Sequence, residues 1–87
     1  MDKMKPIGLL DYRLSWKARG IYMYLISEYH TNKFTEKELV NHAPGGMSGL
    51  RSGLKELEKY GYLKRLSIRE DGRFVGVEWH LYVPVYY

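Results

Sequence analysis

No cysteine occurs in the chain, which excludes disulfide bridges, thiolate catalysis and any zinc site built on sulfur. The absence fits a reducing, cytosolic compartment. No apolar run approaches the roughly 18 residues that a membrane-spanning helix needs, so no membrane partner is expected. The opening MDKMKPIGLL carries charge but neither a long apolar stretch nor a small-residue cleavage site, and predicts no signal peptide. His30, His42 and His80 stand 12 and 38 residues apart, with no two at helical spacing, so neither a metal nor a cofactor is expected. No paired carboxylates and no nucleophile–base arrangement stand out, and the chain reads as a non-enzyme. Internal repeats, linkers and low-complexity tracts are also missing. Residues 1–87 therefore read as one domain with a single modest core.

What is present is positive charge and tyrosine. A formal charge of +4 and a pI near 9.3 favour nucleic acid or an acidic protein surface through long-range attraction. Nine tyrosines supply apolar area with a polar tip, suited to small cores and to interfaces. Trp16, Trp79 and most of the tyrosines are expected in or beside the core rather than as a base-stacking platform. Tyr86 and Tyr87 trail Pro84 and are candidates for capping a dimer.

Hydrophobic spacing organises the rest. Ser15 is a candidate N-cap, followed by Ala18, Ile21, Tyr22, Leu25 and Tyr29 as an amphipathic stripe. Thr35 with Glu38 three residues on forms a capping box for a short second helix that ends at APGG. A third helix starts near Met47 and closes at Gly61, burying Leu50, Leu54 and Leu57. The period then falls to two: YLKRLSIR, an Asp71–Gly72 turn, and Val75, Val77, Trp79, Leu81 and Val83 alternating on one face. Pro84 and the residues after it leave that sheet. The predicted fold class is α+β, a winged helix-turn-helix of three helices and a two-stranded wing hairpin, with a short N-terminal strand as an optional addition.

In this layout the third helix enters the DNA major groove and the wing reaches the neighbouring backbone. At about 100° per residue, Leu54 and Leu57 fall within about 40° of Leu50, and Ser48, Ser52, Lys55 and Lys59 fall opposite, flanked by Arg51. Arg51 and Ser52, with Ser48 near the helix start, are the candidate base readers. Lys55, Lys59, Lys37 and Arg73 are candidates for holding phosphates. Arg69 joins the wing candidates, although Glu70 and Asp71 stand beside both arginines. The alternative is a solvated helix face and a hairpin whose charges pair across the strands.

GMSG at residues 46–49 matches the four-letter loop of a KH domain, but such folds need strands ahead of their helices. No GK[ST] follows these glycines, which excludes a Walker loop. Gly49 and Gly53 lie one turn apart inside the third helix, where each costs ~1 kcal/mol against alanine. On the wheel both fall on one flank, away from the outward face. Gly53 is expected at a close crossing with the first or second helix; Gly49 and Gly46 are left for a partner or phosphate to approach.

LLDYRLSWKARGIYMYLIS, FTEKELVNH, GLRSGLKELEKYGYLKR and REDGRFVGVEWHLY together resemble the helix-turn-helix domain of phage replisome-organiser and DnaD-like replication proteins, over about residues 7 to 83. The resemblance implies a winged helix from a phage or mobile element, working in a bacterial cytoplasm. Such proteins usually continue into a C-terminal domain, so this chain is expected to be a stand-alone module. Their pattern tends to alanine where Gly53 stands. One implied function is double-stranded DNA binding as a homodimer, for transcription regulation or at a replication origin. The other is a protein-binding winged helix that oligomerises or docks on, and inhibits, a host replication or defence protein.

Overall fold

The computed structural model describes residues 5–29 and 34–86. Its elements run β1 (Lys5–Pro6), a 3-10 turn over Ile7–Leu10, α1 (Trp16–Ser27), α2 (Glu36–Leu39) continued by a 3-10 turn over Val40–His42, α3 (Gly46–Lys59), β2 (Leu63–Glu70), β3 (Arg73–Leu81) and β4 (Val85–Tyr86). The expected order of three helices and a hairpin is observed, and so is the optional N-terminal strand. That strand does not join the hairpin: β1 pairs antiparallel with β4, Pro6 opposite Val85. The chain beyond Pro84 thus leaves the wing, as the proline predicts, and closes a second small sheet with the other end of the chain.

The starts of α1 and α2 and the end of α3 each have a local cause. The Ala18 amide donates to Ser15 Oγ at 3.1 Å, so Ser15 caps α1 as expected. The Glu38 amide donates to Thr35 Oγ1 at 3.1 Å, the first half of the predicted capping box. At the end of α3, Tyr62 N–H donates to Leu57 O at 2.8 Å and Gly61 N–H to Glu58 O at 3.2 Å. This is a Schellman stop, which requires the left-handed φ of 85° found at Gly61.

The core gathers Leu14, Ala18, Tyr22 and Leu25 from α1 and the turn before it, Leu39 from α2, Leu50, Leu54 and Leu57 from α3, and Tyr62, Leu63 and Trp79 from the root of the hairpin. The predicted buried face of α3 is therefore the observed one, and each fully buried leucine contributes ~1.5–3 kcal/mol. Tyr22 is wholly buried; its hydroxyl donates to the Tyr82 carbonyl at 2.7 Å, tying α1 to the chain leaving β3. Burial, followed by the nearby Tyr62 and Tyr82, pushes its phenol up to about 12.

Helices α1 and α3 cross at Gly53. A Cβ there would run into Ile21 Cδ1 and lie 3.6 Å from both Ala18 Cα and Lys17 Cγ. The expectation of a packing glycine holds, and its partner is α1. Gly49, one turn earlier, has only Lys17 Cδ within reach, at 3.8 Å. Gly46, the first residue of α3, has a left-handed φ of 71°, one residue before the expected start at Met47.

The hairpin turns through Asp71 (φ 52°) and Gly72 (φ 78°), both left-handed as a type I′ turn demands. Two features of the wing differ from simple alternation. Ile68 opposes Gly76 while Arg69 opposes Phe74, so Val75 is the extra residue of a β-bulge. Moreover, of the apolar stripe on β3 only Trp79 is buried; Leu81 and Val83 are half-buried, and Val75 and Val77 are exposed. The hairpin is long enough for its outer half to extend beyond the helices, within overall dimensions of 46 × 27 × 22 Å.

Candidate nucleic-acid interface

Because Leu50, Leu54 and Leu57 pin one side of α3 to the core, the opposite side faces solvent. Ser48, Arg51, Ser52, Lys55 and Lys59 all line one open groove along that side, together with Met47 and Glu56. The five residues named from the helical wheel are thus brought together. Lys37 is exposed on α2, and Arg69 and Arg73 are exposed towards the tip of the wing; none of these three borders that groove.

The acid in the groove is already engaged. Glu56 accepts from the Ser15 amide and from the Ser15 hydroxyl, each at 2.8 Å. These bonds, the backbone one first, hold its carboxyl below the ordinary range. The charge of Glu56 is therefore spent on the start of α1, leaving the outward strip of α3 basic. Lys17 adds to that strip from α1, donating from Nζ to Ser52 Oγ at 3.2 Å. At the far end of α3, Tyr60 has the Arg13 guanidinium 4.4 Å and the Lys59 ammonium 5.4 Å from its ring centre.

Arg51 is not a free cation. Its Nε donates to Glu36 Oε1 at 3.0 Å. The other oxygen of Glu36 accepts from Arg65 Nη1 at 2.8 Å, while Arg65 holds Glu58 with two further bonds of 2.9 and 3.1 Å and lies 5.1 Å from the Trp79 ring centre. The chain Glu58–Arg65–Glu36–Arg51 joins β2, α2 and α3. Arg65, first among its causes, holds the Glu36 carboxyl below its usual value, so Glu36 stays ionised at neutral pH.

On the wing, register places Glu70 opposite Arg73. Yet among the described residues Arg69, Glu70, Asp71 and Arg73 form no ion pair within 4.0 Å, so the cross-strand pairing weighed from sequence is not seen.

Sequence reasoning missed Lys17, Glu36 and Arg65 at this site. The signal for the first was the close helix crossing at Gly53. For Glu36 and Arg65 there was none, because their partners are 15 and 29 residues away. Trp79, Tyr22 and Tyr62 are buried as expected of the aromatics, whereas Trp16 is 83 % exposed, with Arg19 stacked 4.8 Å from its ring centre. His42 stacks on Tyr24 at 5.2 Å and His80 contacts Glu78. His30, Tyr87 and the Tyr86 side chain lie outside the described residues, and with them the dimer-capping expectation. Among the described residues no three His, Asp or Glu side chains gather to hold a metal ion, and no helix is long and apolar enough to cross a membrane.

Element order, the outward basic strip and the projecting hairpin define a small α+β domain compatible with a winged-helix arrangement. Compared with protein-family models, curated proteins and solved structures, the chain finds no match.

Proposed function

We propose that this chain binds double-stranded DNA, laying α3 in the major groove with the wing against the adjacent backbone, as a phage or mobile-element transcription regulator or replication-origin binder. The observation that carries the reading is the α3 strip: Ser48, Arg51, Ser52, Lys55 and Lys59 line one groove, and among the described residues the carboxylate that lines it, Glu56, is bonded to Ser15. Arg51, Ser52 and Ser48 face the base edges; Lys55, Lys59, Lys37, Arg73 and Arg69 lie against phosphates. A homodimer suits the reading, because one short helix covers only a half-site. Five phosphate contacts per protomer give a slope of log affinity on log salt near −4.5 and a loss of roughly five-hundredfold between 50 and 200 mM salt. Fluorescence anisotropy on duplex DNA across that range tests it; affinity indifferent to salt counts against it.

A second reading has an observation of its own. Phe74, Val75, Val77, Leu66 and Ile68 are all exposed on the wing, more apolar surface than a phosphate-contacting hairpin requires. That favours a protein partner, either a second copy or a host replication or defence protein. Loss of partner capture from host lysate on Val77→Thr and Phe74→Ser, with no salt-dependent DNA binding, supports this alternative.

A further inference from the structure

We propose that Glu36 is a positioning residue that sets Arg51 to read guanine. The inference rests on the DNA reading above. Glu36 is fixed from behind: Arg65, itself clamped by Glu58 and lying over Trp79, takes one of its oxygens at 2.8 Å. The other oxygen faces α3 and accepts from Arg51 Nε at 3.0 Å. With Nε engaged, the guanidinium plane is fixed, and its two terminal nitrogens form the outward end of the fork. Among the described residues those nitrogens have no partner, and the Arg51 side chain is 59 % exposed.

A fork presented end-on matches the O6 and N7 acceptors of guanine in the major groove. Glu36 also determines what Arg51 does not bind. A phosphate drawn to the guanidinium would lie close to the Glu36 carboxylate, and the two negative charges would repel. A neutral base edge meets no such penalty. Arg51 is thereby directed to a base, whereas Lys55 and Lys59, for which no ion pair is found among the described residues, remain available to phosphates. Arg65 makes the setting depend on the root of the wing, so hairpin and reading helix are held in one arrangement.

The test begins with selection of the wild-type protein on a library of short duplexes with randomised centres. Binding is then measured on the winning duplex and on the same duplex with its guanine replaced by 7-deazaguanine, which removes N7. Wild type should lose about tenfold on that replacement, the scale of one good arginine–guanine pair. Glu36→Gln should lose less than about twofold on the same replacement, while binding an unselected duplex at least as tightly as wild type, since a negative charge has gone. Glu38→Gln removes an equal charge from the same helix, outside the Glu58–Arg65–Glu36–Arg51 chain, and should keep the wild-type preference. Full guanine preference in Glu36→Gln, or equal loss in both variants, overturns the proposal. Wild type that binds duplexes but selects no guanine overturns it and leaves the DNA reading standing. Failure to bind any duplex removes both.

Discussion

Gly49 and Gly53 are the same residue in the same helix, one turn apart, and Gly49→Ala and Gly53→Leu should move stability in opposite directions. Alanine relieves a glycine in a helix interior of ~1 kcal/mol. At Gly49 the new methyl meets only Lys17 Cδ, at 3.8 Å, an ordinary contact. Gly49→Ala should therefore stabilise by about 0.5–1 kcal/mol and raise Tm by a few degrees, at ~4–8 °C per kcal/mol for a domain of this size. At Gly53 the methyl displaces Ile21 Cδ1, the far end of a side chain that can rotate, so the propensity gain and the repacking cost nearly cancel. Gly53→Ala should lie within about 1 kcal/mol of wild type. Leucine at the same place is different. Its further carbons have nowhere to go, because Ala18 Cα and Lys17 Cγ already stand 3.6 Å from the Cβ position, and Ala18 Cα is backbone. The α1–α3 crossing must open and the core with it. A cost above about 3 kcal/mol is expected, on the order of 15 °C in Tm, against a total stability of ~5 kcal/mol for so small a domain. Urea unfolding followed by circular dichroism measures all three. A folded Gly53→Leu protein with a midpoint near that of wild type would refute the close crossing.

Tyr22→Phe should cost about 1–2 kcal/mol, since the Tyr82 carbonyl loses its donor, and it should also change the alkaline limb. A phenol raised in the folded state supplies stability that is complete below pH 10 and is lost as pH climbs towards about 12. Thermal melts from pH 9 to 11.5 should show that decline in wild type and a shallower one in Tyr22→Phe. At the acid end, Glu36 and Glu56 are both held below their ordinary value of 4.5. Their contribution is complete above that value and is lost as pH falls through the lowered ones, so melting temperature should be flat from neutrality to about pH 5 and fall below it. Glu56→Gln should lower stability by about 1 kcal/mol through the weakened cap on α1, leaving DNA affinity unchanged or slightly higher; a large loss of DNA affinity in a folded variant would contradict the capping role.

Helix limits, the Asp71–Gly72 turn and the buried leucines of α3 were legible in the sequence because each is decided locally, by a cap, a left-handed residue or the helical period. The outward strip of α3 followed from the same period: fixing Leu50, Leu54 and Leu57 inwards leaves Ser48, Ser52, Lys55 and Lys59 no other side. What was not legible depends on contacts between distant residues. Val75 and Val77 read as sharing one face with Trp79 by alternation, but whether a strand is covered depends on how far the helices reach along it, and the bulge at Val75 is a property of the pairing with β2. The engagement of Glu56 with Ser15 joins positions 41 residues apart, and no pattern along the chain announces it. Arg51 was found as a cation on the right face; that Glu36 holds it depends on where α2 sits.

The central claim is that α3 meets DNA through this strip, and salt-dependent binding to duplex DNA by wild type, Arg51→Ala and Lys59→Ala tests it most directly. Wild type should show the steep salt slope derived above. Lys59→Ala should weaken every sequence alike and reduce the slope by about one, whereas Arg51→Ala should cost ~1–3 kcal/mol on the selected site and flatten sequence preference. A wild-type slope near zero, or equal losses on all sequences in Arg51→Ala, would contradict the account.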